Sequence, residues 1–135
     1  MNLHAIQTTL DQVAAPYVKA LGLEVTAADP HRTTLRMPIT PALVHGGGML
    51  CGQSLLSAAD TAMVVALSVA EGGFRPMTTV QLQTSFLRPI PGSTPEVTLV
   101  CPVLRKGKSL AFGEIEIFTP DGKLAAHATT TYALI

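Results

Sequence analysis

Apolar residues near the start of the chain recur at spacings of three and four: Leu3, Ile6, Leu10, Val13, Tyr17 and Leu21. That is the stripe of an amphipathic helix over residues 3–21. Pro16 should kink or split it, because proline lacks a backbone donor and clashes with the preceding turn. Gly22 stands where a C-terminal cap belongs. The period then shortens to two. Residues 23–28 and 33–37 read as strands around a polar turn, Asp29-Pro30-His31, with Thr33, Leu35 and Met37 alternating against Thr34 and Arg36. Residues 38–48 form a loop with two prolines and three consecutive glycines. From 49 to 70 nearly every residue is apolar or small. The stretch is too long for one strand, rich in Ala and Leu and without a polar face, so it predicts a helix buried on most sides. Residues 78–87 set Val80, Leu82, Thr84 and Phe86 against Thr79, Gln81, Gln83 and Ser85, the alternation of a strand. Further strands follow at 97–104, 110–119 and 124–134, separated by a basic turn at 105–108 and a Pro-Asp-Gly turn at 120–122. Strands joined by such short turns form an antiparallel meander. The expected fold class is α+β, one antiparallel sheet with one long helix against a face, in a single domain over residues 1–135.

Composition narrows the function classes. Apolar residues make up 47% of the 135 and charged residues only 13%, about half the usual share. So little charge on a small chain leaves too few residues to solvate a monomer's surface, which predicts contacts between subunits. Nine basic residues balance nine acidic ones, whereas a nucleic-acid partner calls for a basic field or patch. Cys51 and Cys101 form no spaced framework, and the first residues show no basic segment followed by an apolar run. The expectation is a cytoplasmic protein with reduced thiols. His4, His31, His45 and His127 are scattered without ligand spacing, so no metal site is expected. Residues 49–70 are long enough to span a bilayer, but a mid-span Asp costs about 2.5–3.5 kcal/mol on insertion scales, and soluble-type strands follow. No membrane partner is expected.

Asp60 is the only charged residue between Arg36 and Glu71, midway along the apolar helix. A carboxylate buried without partners is costly, so a hydrogen-bond network, a partner subunit or a solvent-filled cleft must compensate. Such a carboxylate can act as a base or nucleophile. It can equally be structural, bonded to backbone or to Thr61. The Gly46-Gly47-Gly48 run before the helix permits close approach to a ligand, and the N–H groups of the first turn, around Cys51, Gly52 and Gln53, can bind an anion or a developing oxyanion. A loop that merely leads into a helix would look the same.

The spacing from His45 to Ala62 resembles the signature of the PaaI-like hotdog thioesterases. That pattern runs Asn or Gln, two residues, Gly, two residues, His-Gly-Gly, four residues, Leu, one residue, Asp or Glu. With Asp60 as the acid, Gly52 falls on the first Gly of the triplet, Gly48 on the earlier Gly and His45 on the Asn or Gln. Ala58 stands where Leu is usual. Ser85-Phe86-Leu87-Arg88-Pro89 is similar to the family's Phe-Leu-Arg-Pro strand end, and Asp121-Gly122-Lys123-Leu124-Ala125-Ala126 to its final hairpin. The literal His45-Gly46-Gly47 would instead put the acid at Ser54, which cannot serve. The ungapped register places Cys51 on the family His and Gln53 on the second Gly, two departures from the pattern. The resemblance implies a hotdog fold, a homodimer or homotetramer with joined sheets and adjacent long helices, and hydrolysis of an acyl-CoA thioester at a site between subunits. In that scheme the Gly52 N–H polarises the carbonyl, Asp60 from the opposite subunit attacks it or activates water, and His45 holds the acyl group or the water. No cofactor is implied.

Substrate contacts are expected from Gly48, Cys51 and Gln53 around the helix start. They are also expected from Arg88 with the basic turn at Arg105 and Lys106, which suits coenzyme A phosphates; a solvated hairpin tip would carry the same residues. Cys51 can be read as a nucleophile activated by the helix N-terminus or as a small core residue. Two further functions stand beside hydrolysis: a non-catalytic hotdog protein that binds acyl-CoA as sensor or carrier, favoured by the departures at Cys51 and Gln53, and a hotdog hydratase, for which no separated Asp and His pair is present.

Overall fold

Two short helices precede the sheet in the computed structural model, which describes residues 2–135. Helix α1 (Leu3–Val13) is capped by Asn2, whose side chain accepts the Ala5 N–H at 2.8 Å. Pro16 splits the predicted helix outright. It occupies the first turn of a new helix, α2 (Pro16–Lys19), where its missing N–H costs nothing. Gly22 follows at φ 71°, a left-handed turn into the first strand.

The strands are β1 (Glu24–Asp29), β2 (Arg32–Pro38), β3 (Met77–Phe86), β4 (Glu96–Lys106), β5 (Leu110–Phe118) and β6 (Leu124–Leu134). They form one antiparallel sheet in the order β1-β2-β4-β5-β6-β3. The predicted meander is β4-β5-β6. Strand β3 returns beside β6 and leaves a ten-residue edge.

The long helix, α3 (Gly52–Ala70), begins three residues later than the apolar run does. Met49 and Leu50 are spent on the loop instead. They form isolated bridges to Pro91 and Val44, and the Leu50 and Cys51 N–H groups donate to the Ile90 and Leu43 carbonyls, each at 2.8 Å. Helix α3 buries Leu55, Ala58, Ala59, Ala62, Met63 and Leu67. Leu35, Met37, Val97, Leu99, Ile115 and Ile117 complete the same core from the sheet. By length and composition alone α3 could cross a membrane, but 61% of its apolar window is buried inside this fold. This is the hotdog arrangement, an antiparallel sheet around one central helix.

Two local features decide which side chains meet α3. At Gly113 of β5, a Cβ would lie 2.5 Å from the Met63 sulfur, so the absence of a side chain there is what lets helix and sheet approach. In β3 the register slips between Thr79 and Gln81. The strict alternation read from the sequence put Val80 on the face of Leu82 and Thr79 on the other. The bulge reverses this at its N-terminal side, since an extra residue flips the facing of everything before it. Val80 is 60% exposed, and Thr79 turns towards the helix.

Gly113→Val should overpack the Met63 contact and cost about 1–3 kcal/mol. A urea unfolding midpoint equal to that of the parent protein would contradict the close approach.

Candidate active site

Asp60 lies in the third turn of α3 and is half-buried. Two hydroxyls donate to its Oδ1: Thr79 Oγ1 at 2.8 Å and Tyr132 Oη at 2.5 Å. Tyr132 Oη also lies 3.0 Å from the Asp60 main-chain oxygen, so one phenol ties both the backbone and the side chain of the same residue. Thr79 and Tyr132 are register partners on β3 and β6, which is why they converge. Burial first, and then the hydrogen bond to Asp60, push the Tyr132 phenol well above its usual range. It therefore stays a donor. Asp60 Oδ2 has no hydrogen-bond partner among the described residues. Thr61, the neighbour the sequence offered, donates instead to the Ser57 carbonyl at 2.8 Å.

The start of α3 forms a second locus. Cys51 is the N-cap residue and contributes no side-chain cap. The Ser54 hydroxyl donates to the Cys51 carbonyl at 2.7 Å. The Gly52 and Gln53 N–H groups have no acceptor among the described residues. Two unfilled donors at the positive end of a nineteen-residue helix make a site for an anion or an oxyanion. A Cβ on Gly52 would lie 3.3 Å from the Phe86 ring, so that ring packs close over the helix start.

A cleft of ≈ 330 Å³ at this end is lined by His45, Gly52, Leu55, Phe86, Arg88 and Ile90, among others. It therefore brings together three of the residues singled out from the sequence: His45, Gly52 and Arg88. The His45 ring folds over its own loop, with Nδ1 accepting the Gly47 N–H at 2.9 Å. A Cβ on Gly47 would sit 2.8 Å from that ring. An N–H pointing at Nδ1 places the imidazole proton on Nε2, and Nε2 has no partner among the described residues. Gly48, at φ 82°, closes the turn by donating to the His45 carbonyl at 2.9 Å. Gly48, Cys51 and Gln53 flank the cleft without lining it.

The structure does not unite the remaining expected contacts. At the end of β4, Lys106 lies in the row of Tyr132 and Thr79 through Ala111 of β5, and Arg105 lies in the adjoining row of Thr131 and Gln81 through Phe112. Arg88 follows the opposite end of β3. Lys106 is 3.1 Å from Glu71 and, with Arg75, holds that carboxyl below its usual range. Within one chain these bases do not form one patch with Arg88. Cys101 is a core residue: burial, aided by the charge of Glu114, pushes its thiol up to about 12.

Asp60 and Gly52 are likewise separate. Eight residues of helix carry them about 12 Å apart along the axis, and they open into different cavities. Within one chain they form two separate loci.

The sheet around a central helix defines a hotdog protein, and the comparisons with known proteins agree. The sequence model of the thioesterase superfamily matches residues 43–126, and the chain belongs to that superfamily. A protein of Saccharolobus solfataricus, named a presumed esterase, is 30% identical over 118 residues, spanning 87% of this chain and 81% of that one. Among solved structures, the PaaI protein from the phenylacetic acid degradation operon of Escherichia coli superposes with a TM-score of 0.81 at 23% identity, over 98% of this chain and 95% of the other. A thioesterase of Haemophilus influenzae superposes at 0.85 with 22% identity, over 100% and 91%. At these identities the two structures speak for the fold alone.

Neither Thr79 nor Tyr132 was singled out from the sequence. A strand pattern with an unseen bulge put Thr79 on the wrong face, and a tyrosine 72 positions from Asp60 carries no local signal. Tyr132→Phe keeps the ring and removes the donor. Loss of a hydrogen bond to a charged group should cost about 1.5–3 kcal/mol of stability. Denaturant unfolding of this variant at the parental midpoint would contradict the Tyr132–Asp60 bond.

Proposed function

We propose that the protein is an acyl-CoA thioesterase that acts as a homo-oligomer, with Asp60 as the base or nucleophile and the Gly52 N–H as the carbonyl-polarising donor. The observation that carries this reading is the pair of half-sites: a carboxylate with one free oxygen, and a helix N-terminus with unfilled N–H groups, too far apart to serve one bond within a single chain. A second subunit resolves the separation if the partner subunit's Asp60 faces the Gly52 cleft. Support for such pairing comes from the ten-residue edge of β3, whose backbone is open to another strand, and from Val80 and Phe86, exposed by 60% and 51% along it. Superfamily membership supports the hydrolase class.

The chemistry follows from the two loci. The Gly52 N–H, with that of Gln53 beside it, donates to the carbonyl oxygen of the thioester and stabilises the negative charge that grows there. Removal of one such donor elsewhere costs about 2.7–4 kcal/mol of transition-state energy. Asp60 Oδ2 takes a proton from water as the water oxygen bonds to the carbonyl carbon. The tetrahedral oxyanion collapses, the carbon–sulfur bond breaks, and the thiolate of coenzyme A recovers the proton. Direct attack by Oδ2 gives a mixed anhydride that water opens to the same two products. Thr79 and Tyr132 hold the carboxylate by Oδ1 in either route. In this reading the His45 Nε2–H holds the acyl group or the water, and Arg88, which lines the same cleft, meets a phosphate of coenzyme A. Arg105 and Lys106 lie at the Asp60 end of the sheet, so they would reach the same coenzyme A only from the subunit that supplies the carboxylate.

Asp60→Asn should lower kcat by at least about a hundredfold, the low end for loss of a general base, with the fold retained. Gly52→Pro removes the N–H at a helix position proline tolerates, with its Cβ brought to 3.3 Å from the Phe86 ring, and should lower kcat by about a hundredfold or more. Both are read by thiol release from a panel of acyl-CoA thioesters. A panel on which the parent protein binds acyl-CoA without turnover would replace the hydrolase by a sensor or carrier. A 14 kDa monomer by light scattering at micromolar concentration would defeat the shared site.

A further inference from the structure

Beside Asp60 lies a cavity of ≈ 260 Å³ that the catalytic groups themselves do not need. Leu10 and Val13 of α1, Val18 of α2 and Val64 of α3 wall it, and Phe74 lines it from the loop after α3. Its polar lining is confined to Asp60 and Thr61, and the Thr61 hydroxyl is already spent on the Ser57 carbonyl. No basic side chain lines it. The split of α1 from α2 at Pro16 bends the N-terminal segment across α3, so this wall comes from helices outside the sheet-and-helix core.

The cavity has a definite end. Val64 stands one turn beyond Asp60, about 6 Å along the axis. Past it, the seam between α1 and α3 continues between Ile6, Thr9, Val65 and Ser68 but pinches to ≈ 10 Å³, about the smallest volume that holds one water. A chain entering at Asp60 therefore meets a stop. On the same measure the open part, at ≈ 260 Å³, is many times roomier than this pinch.

We infer that this cavity is the acyl pocket, and that the acyl group it takes is uncharged and of medium length, with its thioester carbon at Asp60 and its tail between α1 and α3. This rests on the hydrolase reading for its substrate and goes beyond it in naming the acyl class and the elements that select it. An apolar wall offers nothing to a terminal carboxylate, which would lose its hydration without a partner. A long chain runs out of room at Val64, and a two-carbon acyl group leaves most of the apolar wall unfilled. Selectivity therefore resides in Leu10, Val13, Val18 and Val64, not in the His45–Arg88 cleft.

The test compares hydrolysis of acetyl-, octanoyl-, palmitoyl- and suberyl-CoA by the full chain, paired with calorimetric binding of the unreactive thioether S-octyl-CoA. Octanoyl-CoA should have the highest kcat/KM, and suberyl-CoA, which differs from it by a terminal carboxylate, should fall at least about tenfold below it. Ala14, between α1 and α2, also lines the cavity; Ala14→Phe and Val64→Phe, which fill it from opposite walls, should each lower the octanoyl-to-acetyl ratio of kcat/KM by at least about tenfold, the scale on which a hydrophobic pocket discriminates. Two variants keep the test open if one fails to fold. An unchanged ratio in a folded variant would overturn the assignment while leaving the hydrolase standing. If the parent protein hydrolyses none of the four thioesters yet binds S-octyl-CoA, and Val64→Phe abolishes that binding, the pocket stands and the hydrolase reading fails. No binding of S-octyl-CoA by the parent protein would overturn the pocket.

Discussion

A carboxylate placed midway along a helix that packs on a sheet must be satisfied, and the way Asp60 is satisfied organises this molecule. Tyr132 and Thr79, from adjacent strands, both donate to Oδ1. They offset the loss of water around that oxygen and leave Oδ2 unbonded. Other features follow from this anchoring. The β3 bulge is needed to aim Thr79, and the close approach at Gly113 is needed to bring α3 down on the sheet. The cavity beneath α1 and α2 opens beside Asp60.

The second constraint is the length of α3. A helix has one positive end, and its unfilled N–H groups cannot be moved to meet a carboxylate two turns away. The fold thus separates the Gly52 N–H from the Asp60 carboxylate within one chain, and the proposed site needs a second copy, for which the edge of β3 is open. The low charge of the chain, noticed in its composition, has a physical counterpart in the exposed apolar residues Val80, Phe86 and Leu87. One α3 therefore borders two cavities, with Gly52 at its start lining one and Asp60 in its third turn lining the other.

Much of this was legible in the sequence. The helix read over 49–70, which forms over Gly52–Ala70, the β4-β5-β6 meander and the isolation of Asp60 follow from composition, periodicity and charge spacing, which are local properties. The ungapped register also agrees with the structure in one respect: Gly52, not Gly46, opens the helix, while the literal His45-Gly46-Gly47 is a turn that folds a ring onto its own backbone. What escaped the sequence is non-local. The bulge at Thr79–Gln81 is set by pairing with β6. Tyr132 reaches Asp60 only because the sheet order places β6 under that turn of the helix. The split of Arg88 from Arg105 and Lys106 depends on strand direction, since Arg88 follows one end of β3 while the basic turn joins β4 to β5 at the other.

The central claim is that one site draws Asp60 and Gly52 from different subunits. Mixing separately inactive Asp60→Asn and Gly52→Pro chains, after dissociation and reassembly, tests it most directly. A mixed pair then carries one site with both defects and one with neither. In a two-fold assembly formed at random, half the pairs are mixed, so the mixture should recover about a quarter of the parental kcat per site. A mixture as inactive as its components, with subunit exchange verified by mass, would show that each site is built within one chain and would contradict the account.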